Sequence, residues 1–165
     1  MSAFDNIRHK IQSWEQARQT ISEWQANGEK IVFTNGCFDL LHFVHIHYLA
    51  DAKDLGHRLV VGINSSASVS RLKGPARPIN DDLTRLHNMA ALEMVDLVVV
   101  FEQDTPLDLI RLLRPDVLVK GGDWQVEAIA GAADVLSWGG TVRSLPFVTG
   151  YSTTSIESKI KTSGN

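Results

Sequence analysis

Apolar residues recur at spacings of three and four from Ile7 through Ile11, Trp14, Ala17, Ile21 and Trp24, a single stripe that predicts one helix over residues 5–26. Asn27-Gly28 ends it. The pattern then changes character. Ile31-Val32-Phe33 is a short, continuous, β-favouring run, and similar runs return at Arg58–Asn64, Asp96–Phe101, Asp116–Lys120 and Thr141–Leu145. Continuous apolar strands, unlike alternating ones, are those covered on both faces. Helical patterns separate them. One runs on from Leu41 with Val44, Tyr48 and Leu49, and Gly56 stops it. The next is capped by Asn80 or Asp81 and reaches about Met94, with Leu83, Leu86, Ala90 and Leu92 apolar. Thr105-Pro106 opens another, Thr as cap and Pro at the first position, and Pro115 stops it. Glu127–Trp138 precedes Gly139-Gly140, and Ser152 begins a last helix to about Lys161. Ser65–Arg71 reads as a short polar segment, and Lys73–Pro78 as a loop with two cations.

Strands alternating with helices predict an α/β fold: a Rossmann-like, doubly wound parallel sheet in a single domain. Residues 1–29 form an added amino-terminal helical extension, whose tryptophan-bearing stripe is expected to pack on the sheet; a partner-binding face is the alternative. No repeat or low-complexity segment appears.

Composition narrows the function. The chain has 165 residues, 44% hydrophobic and 21% charged, the balance of a soluble globular protein. A formal charge of −3 supplies no basic field, so nucleic acid is not an expected partner. No apolar run is long enough to span a membrane and no signal-peptide pattern is seen, so no membrane association is expected. One cysteine, Cys37, excludes an intrachain disulfide and suits the cytoplasm.

The candidate chemistry gathers at strand ends and helix starts. Thr34-Asn35-Gly36 is a tight turn after the first strand, where backbone N–H groups are offered to an anion. His42 and His45, three residues apart at the following helix start, share one face. Lys73, Arg77, Arg85, Lys120 and the hydroxyls of Ser152, Thr153 and Thr154 complete a set of donors and cations. Gly121-Gly122-Asp123-Trp124 follows a strand at its carboxyl end, where α/β sheets place ligands. Arg85 lies in a first helical turn, where a cation is disfavoured unless an anion or an ordinary salt bridge offsets the cost. Such a set suits a polyphosphate and phosphoryl or nucleotidyl transfer, in which the protein positions reactants and neutralises charge. GxGxxG, GxxxxGK[ST] and GxSxG are absent, which disfavours dinucleotide, P-loop and serine-hydrolase chemistry. HExxH is absent and the two histidines lack an evident third ligand, so no protein metal site is expected.

TNGCFDLLHFVH resembles the signature of the nucleotidyltransferase superfamily, whose histidine motif reads H-x-G-H. Within it the chain is similar to the heptose 1-phosphate adenylyltransferases of lipopolysaccharide precursor synthesis. The similarity runs from about Lys30 to Lys161 through LVVGINSSASVSRLKGPARPIN, AALEMVD, EQDTPLDLIRLLRPDVLVKGGD and PFVTGYSTT. It implies that residues 30–165 are a nucleotidyltransferase domain joining ATP, with Mg²⁺, to a sugar 1-phosphate and releasing pyrophosphate. By position, Thr34, Asn35, Gly36, Cys37, Phe38 and Asp39 would contact the nucleotide or orient the turn. His42, His45, Lys73 and Arg85 would act on the reacting phosphates. Lys120, Gly121, Gly122, Asp123 and Ser152 to Thr154 would hold nucleotide, and Arg77 and Trp124 the acceptor. A homo-oligomer and a separate sugar kinase are further implications, since the kinase half of bifunctional relatives is not in this sequence. Two residues depart from the pattern. Val44 replaces the motif glycine, which leaves a nucleotide-binding protein without turnover as one alternative. Phe147 replaces the arginine of related cytidylyltransferases, which leans away from CTP and a small alcohol phosphate, the other alternative.

Overall fold

Every run read as a strand is one. In the computed structural model, which describes residues 1–163, β1 (Ile31–Gly36), β2 (Arg58–Asn64), β3 (Leu97–Phe101), β4 (Val117–Gly121) and β5 (Thr141–Leu145) form one parallel sheet in the order β3-β2-β1-β4-β5. The chain winds outward from β1 to β3, then returns to β1's other side, so the switch point lies between β1 and β4. The two strands part there. Their pairing consists of Val32 with Val117 and Phe33 with Leu118, whereas β1 follows β2 as far as Gly36 opposite Ile63. A crevice opens beyond Phe33 and Leu118.

The helices are α1 (Ala3–His9), α2 (Trp14–Ala26), α3 (Phe43–Lys53), α4 (Ser66–Lys73), α5 (Asp82–Ala90), α6 (Leu107–Leu113), α7 (Ala132–Ser137) and α8 (Thr153–Thr162). Alternation along β1 sorts the core into two layers. Ile31 and Phe33 pack with Ala17 and Ile21 of α2, Ile110 of α6 and Val135 of α7. Val32 packs on the other face with Leu49 of α3 and Met89 of α5. All these side chains are fully buried.

Five elements differ from the pattern's prediction. The helix expected over residues 5–26 is two, broken where Ile11 forms a parallel bridge with Val98. Val98 N–H donates to Lys10 O at 2.7 Å, and Gln12 N–H donates to Val98 O at 3.1 Å. An open sheet edge outcompetes helix continuation here, and Ser13 restarts the helix with a reciprocal capping box to Gln16. The polar segment Ser65–Arg71 belongs to a helix, α4, with Ser65 as cap and Val69 and Ser68 buried. The helix expected over 127–138 is a 3-10 turn (Val126–Ala128) and then α7, separated by Gly131 at φ 86°. Finally, α5 ends at Ala90 rather than Met94, and Leu83, expected on its apolar face, is 66% exposed. The helix after β3 starts at Leu107 with Pro106 as its cap residue, one position later than predicted.

Candidate functional site

β1 runs out of sheet partners at Gly36, and the chain turns through Cys37 and Phe38. A Cβ on residue 36 would lie 2.9 Å from the Phe38 ring, so only glycine lets that ring fold back. Phe38 sits at φ 44°, a left-handed conformation that costs a non-glycine residue roughly 1–2 kcal/mol. Packing holds it there, with the ring on Gly36 and the His45 imidazole at its edge, 5.4 Å between centroids.

Arg85 fixes this turn from below. It is fully buried, and all its donors are engaged. One terminal nitrogen donates to Cys37 O at 2.8 Å and Asn64 O at 2.7 Å. The other donates to Asp82 at 2.6 Å and Ser66 Oγ at 3.5 Å, and Nε donates to Asn80 O at 3.2 Å. The expected role on the phosphates is therefore corrected: its guanidinium has neither a free donor nor access to a ligand. Asp39 is likewise a brace. It accepts from Ile79 N–H at 2.7 Å, Asn80 N–H at 2.8 Å and Arg77 Nε at 3.0 Å. Burial pushes its carboxyl up, but the amides of Asn80 and Ile79 and the Arg77 charge outweigh that and hold it below the usual range. Arg77, expected on the acceptor, is ion-paired to Asp39 and to Glu157 of α8, tying loop to terminal helix.

The histidines behave as a unit. His42 is the cap residue of α3; its backbone N–H donates to Nδ1 of His45 at 3.4 Å, and the two rings lie tilted by 30° with 4.0 Å between centroids. A nitrogen that accepts carries no proton, so the His45 hydrogen is on Nε2. Burial, then the neighbouring His42 and Lys73, push His45 down to about 4. It is a neutral donor at pH 7, not a cation. Burial also lowers His42, whose buried Nδ1 has no partner among the described residues. Val44, between the two in sequence, is buried and lines neither cleft described below. Val44→Gly should therefore leave nucleotide affinity unchanged in an equilibrium titration. It should cost about 2 kcal/mol in urea unfolding, from lost burial and helix propensity.

Two clefts flank the turn. The first, of 160 Å³, has Asn35 to Asp39, His45, Lys73, Arg77, Lys120, Gly121 and Thr153 on its walls, with the rings of Tyr48 and Phe147. The second, of 390 Å³, shares Asn35, Gly36, Cys37, Lys73 and Lys120 and adds Asn64, Asp104, Thr105 and Trp124. Lys73 ends α4 and Lys120 lies near the end of β4, where it faces the Trp124 ring at 5.7 Å. Burial lowers the Lys120 ammonium. Several expected contacts fall outside both clefts. Thr34 is fully buried, its hydroxyl 2.5 Å from that of Tyr48, which burial raises to about 12. Gly122 turns at φ 111° and donates to Leu145 O at 2.8 Å, and Asp123 lies beside it. Ser152 caps α8 through Ser155 N–H at 3.1 Å, and of the three hydroxyl residues Thr153 alone is on a cleft wall. Tyr48, Asn64, Asp104 and Thr105 were not anticipated as wall residues. Asn64 and Asp104-Thr105 stand at or just past the carboxyl ends of β2 and β3, a positional signal that could have found them.

The cytidylyltransferase-like family matches residues 33–163. The bifunctional protein HldE of Magnetococcus marinus is 55% identical over 151 residues, which are 92% of this chain and 31% of that protein. HldE of Hahella chejuensis is 54% identical over 147 residues, 89% of this chain and again 31% of the relative. The chain thus spans about a third of the length of these relatives. Among solved structures, the lipopolysaccharide core biosynthesis protein of Thermoplasma volcanium is 29% identical, with TM-score 0.60 over 75% of this chain and 100% of that one. A pantoate-beta-alanine ligase from Francisella tularensis, solved with β-γ ATP and β-alanine, shares the fold. Its TM-score is 0.62 and its identity 17%, over 92% of this chain and 76% of its own. The matched residues contain the whole sheet apart from its first two residues, the paired histidines and both cleft lysines, and the chain belongs to the cytidylyltransferase-like family of nucleotidyltransferases.

Proposed function

We propose that this chain transfers the adenylyl group of ATP to a sugar 1-phosphate, D-glycero-β-D-manno-heptose 1-phosphate, yielding ADP-heptose and pyrophosphate. The observation that carries the reading is the shared wall: Lys73, Lys120 and the Gly36-Cys37 backbone border both clefts. Identity to the HldE proteins and likeness to a lipopolysaccharide core biosynthesis protein support the choice of sugar. A phosphate oxygen of the acceptor attacks the α-phosphorus, the bond from that phosphorus to the bridging oxygen breaks, and pyrophosphate leaves with the electron pair. The protein contributes position and charge. The two lysines offset the anionic reactants, while neutral His45 donates from Nε2 to a phosphate oxygen and Thr153 donates at the start of α8. Phe147 and Tyr48 give the first cleft an aromatic end, 5.9 Å between rings.

Mg²⁺ fits this arrangement as the nucleotide's own ion. Among the described residues no three His, Cys, Asp or Glu side chains are grouped to hold a metal, and Asp39 is occupied by its three donors. Magnesium bound mainly through substrate phosphates needs no such cage. Among the described residues no helix is long and apolar enough to cross a membrane. The reading places the enzyme in the cytoplasm as a homo-oligomer, downstream of a kinase that makes the sugar 1-phosphate.

The test is pyrophosphate release from ATP and from CTP, each alone, with the heptose 1-phosphate and with glycerol 3-phosphate. Release is expected with ATP plus the heptose. Release with CTP and glycerol 3-phosphate instead would assign the cytidylyltransferase alternative. Nucleotide binding without release in any arm would overturn the catalytic reading.

A further inference from the structure

Two substrates whose phosphates react must each be held so that the reacting atoms meet, which calls for two recesses opening on a common wall. The two clefts meet that demand at Gly36, Cys37, Lys73 and Lys120. Their outer walls differ in chemistry. The first presents the His45 imidazole, the Thr153 hydroxyl and two aromatic rings, and its one carboxylate, Asp39, is consumed by internal donors. The second presents acceptors, in Asp104 and Asn64, with the Thr105 hydroxyl and an apolar flank of Leu72, Pro106 and Ile129.

A carboxylate repels a triphosphate and accepts hydrogen bonds from hydroxyl groups. On the basis of the nucleotidyl-transfer reading, we infer that the second cleft is the sugar subsite and that Asp104 selects the polyhydroxylated acceptor. Arg71 Nε donates to Oδ1 of Asp104 at 2.9 Å, which orients the carboxylate and leaves Oδ2 for substrate. The Asp104 side chain is 62% exposed, so a hydroxyl reaches it without a change in the fold. Lys73 and Lys120 hold the acceptor's phosphate against the shared wall, and Thr105 supplies a second hydroxyl partner. Arg71, Leu72 and Lys73 are consecutive on the last turn of α4, so one helix end sets sugar position and phosphate position together.

The experiment compares the wild type with Asp104→Ala, Asp104→Asn and Thr105→Ala. Pyrophosphate release gives KM for each substrate. Calorimetric titration of the heptose 1-phosphate into protein saturated with an ATP analogue carrying a methylene in place of the α–β bridging oxygen gives acceptor affinity without turnover. Asp104→Ala should weaken the acceptor about tenfold or more, the range for losing a hydrogen bond to a charged group. KM for ATP should hold within about twofold, since the lost contact is to the other substrate. Thr105→Ala should weaken the acceptor less, and Asp104→Asn should retain part of its affinity through the amide oxygen. Thermal melting of the exposed-site variants should match the wild type. Acceptor affinity unchanged in Asp104→Ala, or an equal loss for ATP, would overturn this assignment while leaving nucleotidyl transfer intact. A wild type that neither binds the sugar phosphate nor releases pyrophosphate with it would overturn the underlying reading instead.

Discussion

Arg85→Met should lower the unfolding free energy by about 3–5 kcal/mol, the scale of leaving several buried polar groups without partners. The guanidinium serves the carbonyls of Cys37, Asn64 and Asn80 at once, and methionine would fill the volume without replacing a single donor. Against a total stability of about 5–15 kcal/mol this is a large fraction. Urea unfolding at pH 7 measures it. Nucleotide affinity should fall as well, because the Cys37 carbonyl belongs to the turn that both clefts share. A loss under about 1 kcal/mol would mean that water replaces the guanidinium at little cost.

His45→Ala should reduce the rate of pyrophosphate release about 10²–10³-fold, as expected for removing one preorganised donor to a developing charge. ATP binding should survive, because Lys73, Lys120 and Thr153 still line the first cleft. Rate is read from steady-state release and affinity from titration with a non-hydrolysable analogue. A fall in affinity matching the fall in rate would make His45 a ground-state binding residue rather than one specific to the transition state.

The sheet was legible because five continuous apolar runs leave little else for those segments to be, and the separating helices require parallel crossovers. Lys73, Lys120, His45 and the Asn35–Phe38 turn were legible for the same reason: strand ends and helix starts converge in such a fold. Arg85 was expected on the phosphates from the family's pattern, while its place in a first helical turn was equally compatible with a salt bridge such as the one it makes to Asp82. Only the folded chain reveals that Cys37 and Asn64 bring their carbonyls to it. Arg77 and Asp39 stand on the first cleft's wall as expected, but their ion pair with each other was not legible, as a ligand contact is indistinguishable in sequence from an internal one. Helix α4 was hidden by its own polarity, since Ser68 is buried through a hydrogen bond to Gln103 O at 2.9 Å rather than by being apolar. The break at Ile11 was hidden because a periodic stripe says nothing about an open strand edge elsewhere.

That break bears on where the functional unit begins. The match to the cytidylyltransferase-like family starts at residue 33, yet residues 10–14 hydrogen-bond to Val98 and, through Trp14 Nε1 at 2.8 Å, to Val100 O. Trimming the chain to the matched segment would strip these partners from β3 and bare an apolar, adhesive strand margin, inviting copies to zip together. The first thirty residues are thus a selvedge, finishing the fabric of the sheet along its β3 margin.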